Sequence, residues 1–163
     1  MQSVKHAALA LALSVFAVAV PARLSAQKAN SEEAIMLGYS LTMPKVDAWV
    51  KAATEMAGAA KNMKQKPAQE DSGNGNAIDG IAAQLNDEPE IRRAIRKSGL
   101  TTREYTIISM VLLTTIAADE IMKDNPGAER PTNVSAANLA FVRAHKAEVT
   151  ERMKTVQRLG VVE

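Results

Sequence analysis

The sequence predicts an all-α protein, an antiparallel bundle of four main helices. Over long stretches the apolar residues recur at alternating three- and four-residue steps, which places them on one face of a helix. Residue types that cap helices precede these stretches, and glycines follow two of them. No stretch alternates polar and apolar residues as a half-buried strand does. The fold class follows from these three observations.

Residues 1–26 have the plan of a secretory signal peptide. A lysine lies near the start, an apolar run covers residues 7–20, and a proline and small residues follow. This run is shorter than the roughly 20 residues that cross a bilayer. We therefore expect cleavage after Ala26, or alternatively after Ala22. The product would be periplasmic or secreted, without stable membrane insertion after signal cleavage.

The composition argues against disulfide bonds and against a nucleic-acid partner. The chain has no cysteine, so we expect no disulfide even in an oxidising compartment. Two of its 20 Lys and Arg residues lie in the signal peptide, which leaves eighteen basic residues against 18 Asp and Glu. Because nucleic-acid binding depends on accumulated positive charge, we expect no nucleic-acid partner.

The first helix is expected at about residues 43–64, after a polar lead-in over residues 27–41. Thr42 can cap this helix, and Pro44 falls in its first turn, where proline is tolerated. Its apolar stripe consists of Val46, Trp49, Val50, Ala53, Met56, Ala57, Ala60 and Met63. The single domain covers residues 42–160.

Residues 64–77 are rich in glycine, asparagine and charge, and we interpret them as a mobile loop. The second main helix follows as two short pieces with a bend near Asp87, which would cap the second piece, with Pro89 in its first turn. Its inward residues are Ile78, Ile81, Ala82 and Leu85, then Ile91 and Ile95. Gly99 would end it.

The stretch "SGLTTREYTIISM" opens the third main helix. With Thr101 as the N-cap, Glu104 completes a capping box, and Leu100 and Tyr105 form a hydrophobic staple. One side of the helix carries Tyr105, Ile108, Leu112, Thr115, Ile116 and Asp119. Because apolar residues follow Arg103 on nearly all sides, we expect a buried helix and reject a DNA-reading one.

The fourth main helix begins after Ser135, a plausible cap, and ends at Gly160. Its inward face consists of Asn138, Val142, His145, Val149, Met153 and Val156.

Three segments carry a resemblance: "GYSLTMPKVDAWVKA", "SGLTTREYTIISMVLL" and "NVSAANLAFVRAH". Together they resemble a group of small exported all-α bacterial proteins of unknown function. The resemblance implies export and a helical fold. It implies no activity and transfers no catalytic residue.

His145 is the one histidine that follows the signal peptide, and its position in the pattern is inward. We expect a buried or half-buried histidine that bonds a neighbour such as Asp119, Tyr105 or Asn138. These four residues form the candidate ligand-binding site.

A haem-binding bundle is the alternative interpretation. Haem b would lie between His145 and one of Met43, Met56 or Met63, and the protein would carry electrons or haem.

A basic run on the second main helix is a candidate contact site for anions. It consists of Arg92, Arg93, Arg96 and Lys97, and a solvated helix face is the simpler explanation.

No pattern for a metal site or a hydrolase occurs in the sequence. We therefore predict a non-enzymatic domain without catalytic residues or metal. Its partner would be an unknown envelope protein or a small apolar ligand.

Overall fold

A computed structural model describes residues 32–60 and 77–159, and these residues form an all-α structure without strands. The all-α part of the predicted fold class is confirmed. The signal peptide over residues 1–26 and nearly all of the predicted loop over residues 64–77 lie outside the described residues. The helices are α1 (32–38), α2 (Met43–Ala60), α3 (Ala77–Asp87), α4 (Pro89–Lys97), α5 (Thr102–Asp124), α6 (Ala136–Ala144) and α7 (Lys146–Arg158).

The predicted polar lead-in contributes to the core, although its sequence pattern did not indicate this. Residues 32–38 form α1, and Met36 and Leu41 are each 5 % exposed. Met36 and Leu41 belong to the main apolar cluster together with residues of α2, α4, α5 and α7. The packed part of the chain therefore begins before residue 42.

Helix α2 buries half of the predicted stripe, whereas Ala60 is exposed and Met63 lies outside the described residues. Val46, Trp49, Ala53 and Met56 are buried, and α2 packs against α4, α7 and α5. The first turn of α2 is helical, as the Val46 N–H donates to the Thr42 carbonyl at 3.0 Å. Pro44 is compatible with this turn because a backbone N–H at that position would have no intrahelical acceptor to bond.

The predicted bend between α3 and α4 lies at Glu88, one residue later than expected. Glu88 has extended backbone angles (φ −97°, ψ 103°), and it is the N-cap in place of Asp87. Proline disfavours helical angles in the residue before it, and this explains why Pro89 moves the boundary. The inward position predicted for Ile81 is wrong, since its side chain is 42 % exposed. Gly99 ends the turn after α4 at φ 87°, a conformation that favours glycine.

Helix α5 begins with the predicted capping box. The Thr101 hydroxyl accepts the Glu104 N–H at 3.1 Å, and the Glu104 carboxylate accepts the Thr101 N–H at 3.0 Å. The bonds that the Glu104 carboxylate accepts from the Thr101 N–H and the Thr101 hydroxyl lower the pKa of Glu104. Leu100 and Tyr105 both pack into the main apolar cluster.

The remainder of α5 forms the centre of the protein, in contact with α2, α3, α4 and α6. Its most apolar stretch of 18 residues has a mean hydropathy of 1.4, and half of that stretch is buried against other parts of the chain. By length and composition α5 could also cross a membrane, a property that core helices share.

The last predicted helix is continuous in the sequence pattern but divided in the structure. Ser135 caps α6 as predicted, and its side chain accepts the Asn138 N–H at 3.1 Å. The helix breaks at His145 (φ −109°, ψ 25°), although residues 136–159 contain neither proline nor glycine. The two halves have different partners: α6 packs against α5, whereas α7 packs against α2. Tertiary packing therefore accounts for the break.

Candidate functional site

A cleft of about 270 Å³ lies between the C-terminal half of α5 and the α6–α7 pair. We call it the α5–α7 cleft. Its apolar lining consists of Ile116, Val142, Val149 and Met153. Its polar lining consists of Asp119, Glu120, Lys146, Thr150, Lys154 and Gln157. It combines an apolar interior with a few polar groups, as small-molecule sites do.

The cleft forms because one face of α5 and one face of α7 do not pack against each other. The lining residues of α7 recur at three- and four-residue steps from Lys146 to Gln157, so they share one face of the helix. Helix α6 packs against α5, but α7 turns towards α2, which leaves space between α5 and α7.

Four charged side chains close one end of the cleft. Asp119 is 6 % exposed, and its carboxylate accepts Arg143 Nε at 2.7 Å and Lys146 Nζ at 3.1 Å. Lys146 also donates to Glu120 at 2.8 Å. The hydrogen bond from Arg143 lowers the pKa of Asp119, and the bond to Glu120 raises the pKa of Lys146. Both pKa values move away from neutrality, so Asp119 and Lys146 stay charged and paired over the neutral pH range.

His145 does not line the cleft. Its ring lies 4.8 Å from the Phe141 ring, centroid to centroid, and its Nδ1 is 2.7 Å from the Glu148 carboxylate. The side chain is 40 % exposed. The expected hydrogen bonds from His145 to Asp119, Tyr105 or Asn138 do not form, because the break between α6 and α7 takes its ring out of the inward face.

Tyr105 lies in the core, away from the other predicted site residues. Its ring stacks on Trp49, with a centroid distance of 6.4 Å. Burial raises the pKa of its hydroxyl. The Trp49 indole N–H donates to the Ser109 hydroxyl at 2.7 Å, a partner that the sequence analysis missed. A buried indole needs an acceptor, and this requirement was the available signal.

Asn138 holds the segment between α1 and α2. Its Oδ1 accepts the Leu41 N–H at 2.9 Å, and its Nδ2 donates to the Tyr39 carbonyl at 2.8 Å. The residue is 1 % exposed, so these bonds lie away from water. Its side-chain amide therefore ties α6 to the backbone between α1 and α2. Of the four predicted ligand residues, Asp119 is the one that lines the cleft.

The basic run on α4 is partly neutralised. Arg92 donates to the Asn86 carbonyl at 3.0 Å, and Lys97 pairs with Glu55 at 3.0 Å. Arg93 and Lys97 line a depression of about 420 Å³ together with Glu55 and Glu90. Arg96 is exposed. The depression contains as many carboxylates as cations, and it is more open than the α5–α7 cleft.

The predicted haem ligands that fall within residues 32–60 and 77–159 line neither the α5–α7 cleft nor the depression on α4. Met56 is buried in the main cluster, Met43 is partly buried beside it, and Met63 lies outside the described residues. His145 bonds Glu148. Within residues 32–60 and 77–159, no group of three His, Cys, Asp or Glu side chains could hold a metal ion. Haem binding stays a prediction.

Comparison with known proteins adds no assignment, since no family model, curated protein or solved structure matches this chain. The α5–α7 cleft is therefore the feature on which a functional argument rests.

Proposed function

We propose that this protein is an exported antiparallel bundle of four main helices that binds a small apolar ligand in the cell envelope without transforming it. The main helices would be α2, the α3–α4 pair, α5 and the α6–α7 pair. The α5–α7 cleft is the observation that carries this proposal.

The lining of the cleft favours an apolar ligand. Val142 and Val149 are 3 % and 2 % exposed, and Ile116 and Met153 are partly buried beside the main cluster. The two valines are already shielded from water, so a ligand chain would bury its own apolar surface and that of Ile116 and Met153, at about 25 cal/mol per Å². The apolar interior thus supplies affinity, and the polar rim supplies orientation.

The charged end of the cleft favours binding over catalysis. A general acid or base needs a pKa near the working pH and a proton that it can exchange with the substrate. Asp119 has its pKa lowered by Arg143, and its two oxygens already accept hydrogen bonds. Its role in the fold is to fix the relative position of α5 and the α6–α7 break.

A fluorescence titration tests the proposal. Protein purified after expression of the full chain would be titrated with the neutral apolar dye N-phenyl-1-naphthylamine. Met153→Trp fills the cleft, and Met110→Trp makes the same change at another partly buried methionine, which lines a separate depression near α1. We expect the parent protein to bind the dye. Met153→Trp should lower the dye affinity at least tenfold, and Met110→Trp should leave it unchanged.

Equal dye affinity in both variants, or no binding by the parent protein, would overturn the proposal. If Met153→Trp unfolds, as judged by its circular dichroism, Thr150→Trp blocks the cleft from an exposed rim position.

Export has its own measurement. Mass spectrometry of the protein recovered from a periplasmic extract should give an N-terminus at Gln27, or at Arg23 for the alternative cleavage site. An intact N-terminus in the cytoplasmic fraction would contradict export and leave the binding proposal unaffected.

A further inference from the structure

The two ends of the α5–α7 cleft differ in how firmly their cations are bound. Lys146 donates to both Asp119 and Glu120. Lys154 lies about two turns further along α7 and donates to Glu151 at 2.8 Å. The Lys154 and Glu151 side chains are 54 % and 59 % exposed.

A ligand carboxylate can bind at Lys154 at little cost. An exposed ion pair contributes between nothing and about 1 kcal/mol, so the loss of Glu151 as a partner is small. An ammonium group has three donors, and the bond to Glu151 uses one of them. At Lys146, by contrast, Asp119 and Glu120 would repel an incoming anion.

The charge around the cleft favours an anion over a cation. The charged lining residues and their ion-pair partners comprise four cations and three carboxylates. The cations are Lys123, Arg143, Lys146 and Lys154, and the carboxylates are Asp119, Glu120 and Glu151. This group of side chains therefore has a surplus of one positive charge. Among the cations that line the cleft, Lys154 has the fewest carboxylate partners.

The dimensions of the cleft suit a linear chain of medium length. Its face on α7 extends from Lys146 to Gln157, about 16 Å at the helical rise of about 1.5 Å per residue. Its volume of about 270 Å³ holds about nine groups of the size of a water molecule, at about 30 Å³ each. Met153 and Val149 continue the apolar lining from Lys154 towards Val142.

We infer that the ligand class is an aliphatic monocarboxylate of medium chain length, with its carboxylate at Lys154 and its chain along Met153 and Val149. This inference rests on the proposed function and names the chemistry of the same site.

Three ligands of equal chain length and different head charge test the inference. Octanoate, octanol and octylammonium would each be titrated by calorimetry at low ionic strength. We expect octanoate to bind up to about fivefold more tightly than octanol, and octylammonium to bind most weakly, because Lys154 forms an ion pair with the anion alone.

A pair of charge-matched variants locates the head group. Lys154→Gln removes the proposed contact, and Lys51→Gln removes one positive charge from an exposed position on α2 outside the cleft. We expect Lys154→Gln to abolish the preference for octanoate over octanol and Lys51→Gln to retain it. Lys51→Gln should also keep the parent's affinity for the neutral dye.

The outcomes separate this inference from the proposed function. Equal affinity for the three ligands, or equal effects of the two variants, would overturn the carboxylate assignment while dye binding sensitive to Met153→Trp still supports the cleft. Failure of octanoate to displace the dye would likewise overturn it. Absence of dye binding would overturn both proposals.

Discussion

Asn138→Ala should destabilise the protein by about 3 to 5 kcal/mol. The substitution removes the acceptor of the Leu41 N–H and the donor to the Tyr39 carbonyl, at a position that is 1 % exposed. Each intramolecular hydrogen bond contributes a net of about 1 kcal/mol, and a buried donor left without a partner costs roughly 1 to 3 kcal/mol. The expected total combines two lost bonds with one unsatisfied backbone N–H.

Urea unfolding followed by far-ultraviolet circular dichroism measures this loss as a lower midpoint at an unchanged slope. Hydrogen exchange at the Leu41 amide gives a second readout, because that amide donates to Asn138 in the parent protein. Asn86→Ala is the matched control, since Asn86 is exposed on α3 and contributes only its backbone carbonyl to a hydrogen bond. A midpoint for Asn138→Ala equal to that of the control, with Leu41 exchange unchanged, would refute the reasoning.

Three further changes test the helix caps, the core and the charged end of the cleft. Thr101→Ala should lower the free energy of unfolding by about 1 kcal/mol, because it removes the N-cap of α5. Leu112→Ala should lower it by about 2 to 5 kcal/mol, since that side chain is fully buried. Asp119→Asn should destabilise the protein at neutral pH and lose this effect in acid. The folded-state pKa of Asp119 is lowered, so its contribution is complete above the unfolded-state value of about 3.9 and disappears as the pH falls through the folded-state value.

Denaturant midpoints measure all three effects, with a control for each. Thr54→Ala removes an exposed hydroxyl away from a cap, and Leu37→Ala truncates a leucine that is 39 % exposed. For Asp119→Asn, the midpoints of parent and variant should converge as the pH falls below about 3.9 and through the lowered folded-state pKa of Asp119. A constant difference between them across the pH range would exclude Asp119 as the source of the effect.

Local signals in the sequence predicted where the helices begin. Thr101 and Glu104 form their capping box across three residues, and Ser135 receives the Asn138 N–H across the same distance. Such contacts depend on the nearby chain alone, and therefore the pattern of residue types is sufficient to predict them. The broken second helix was predicted for the same reason, since proline acts on its immediate neighbour.

Features that depend on distant contacts were not predicted. Helix α1 packs because Met36 and Leu41 meet residues far along the chain, and nothing in the local sequence indicates that contact. The break at His145 follows from the different partners of α6 and α7. A periodic pattern treats residues 136–159 as one straight helix, so it placed the His145 ring on the inward face.

The sequence predicted one polar residue of the candidate site and the two apolar helix faces that line it. Asp119 was identified, but its partners Arg143 and Lys146 lie 24 and 27 residues away and were not. Ile116 on one helix and Val149 and Met153 on another were all predicted to face inward. The sequence could not show that these faces stay apart, since the separation depends on how α7 is directed towards α2.

The hydrogen bonds of Asn138 also set an order for folding during synthesis. Leu41 and Asn138 are separated by 97 positions in the chain, so the ribosome must add α2 to α5 and enter α6 before this contact can form. Contacts between such distant residues form late, because the closure of a long loop costs chain entropy. The chain between α1 and α2 therefore cannot gain its Asn138 hydrogen bonds until α6 is being made, although α1 is the first described helix to be synthesised.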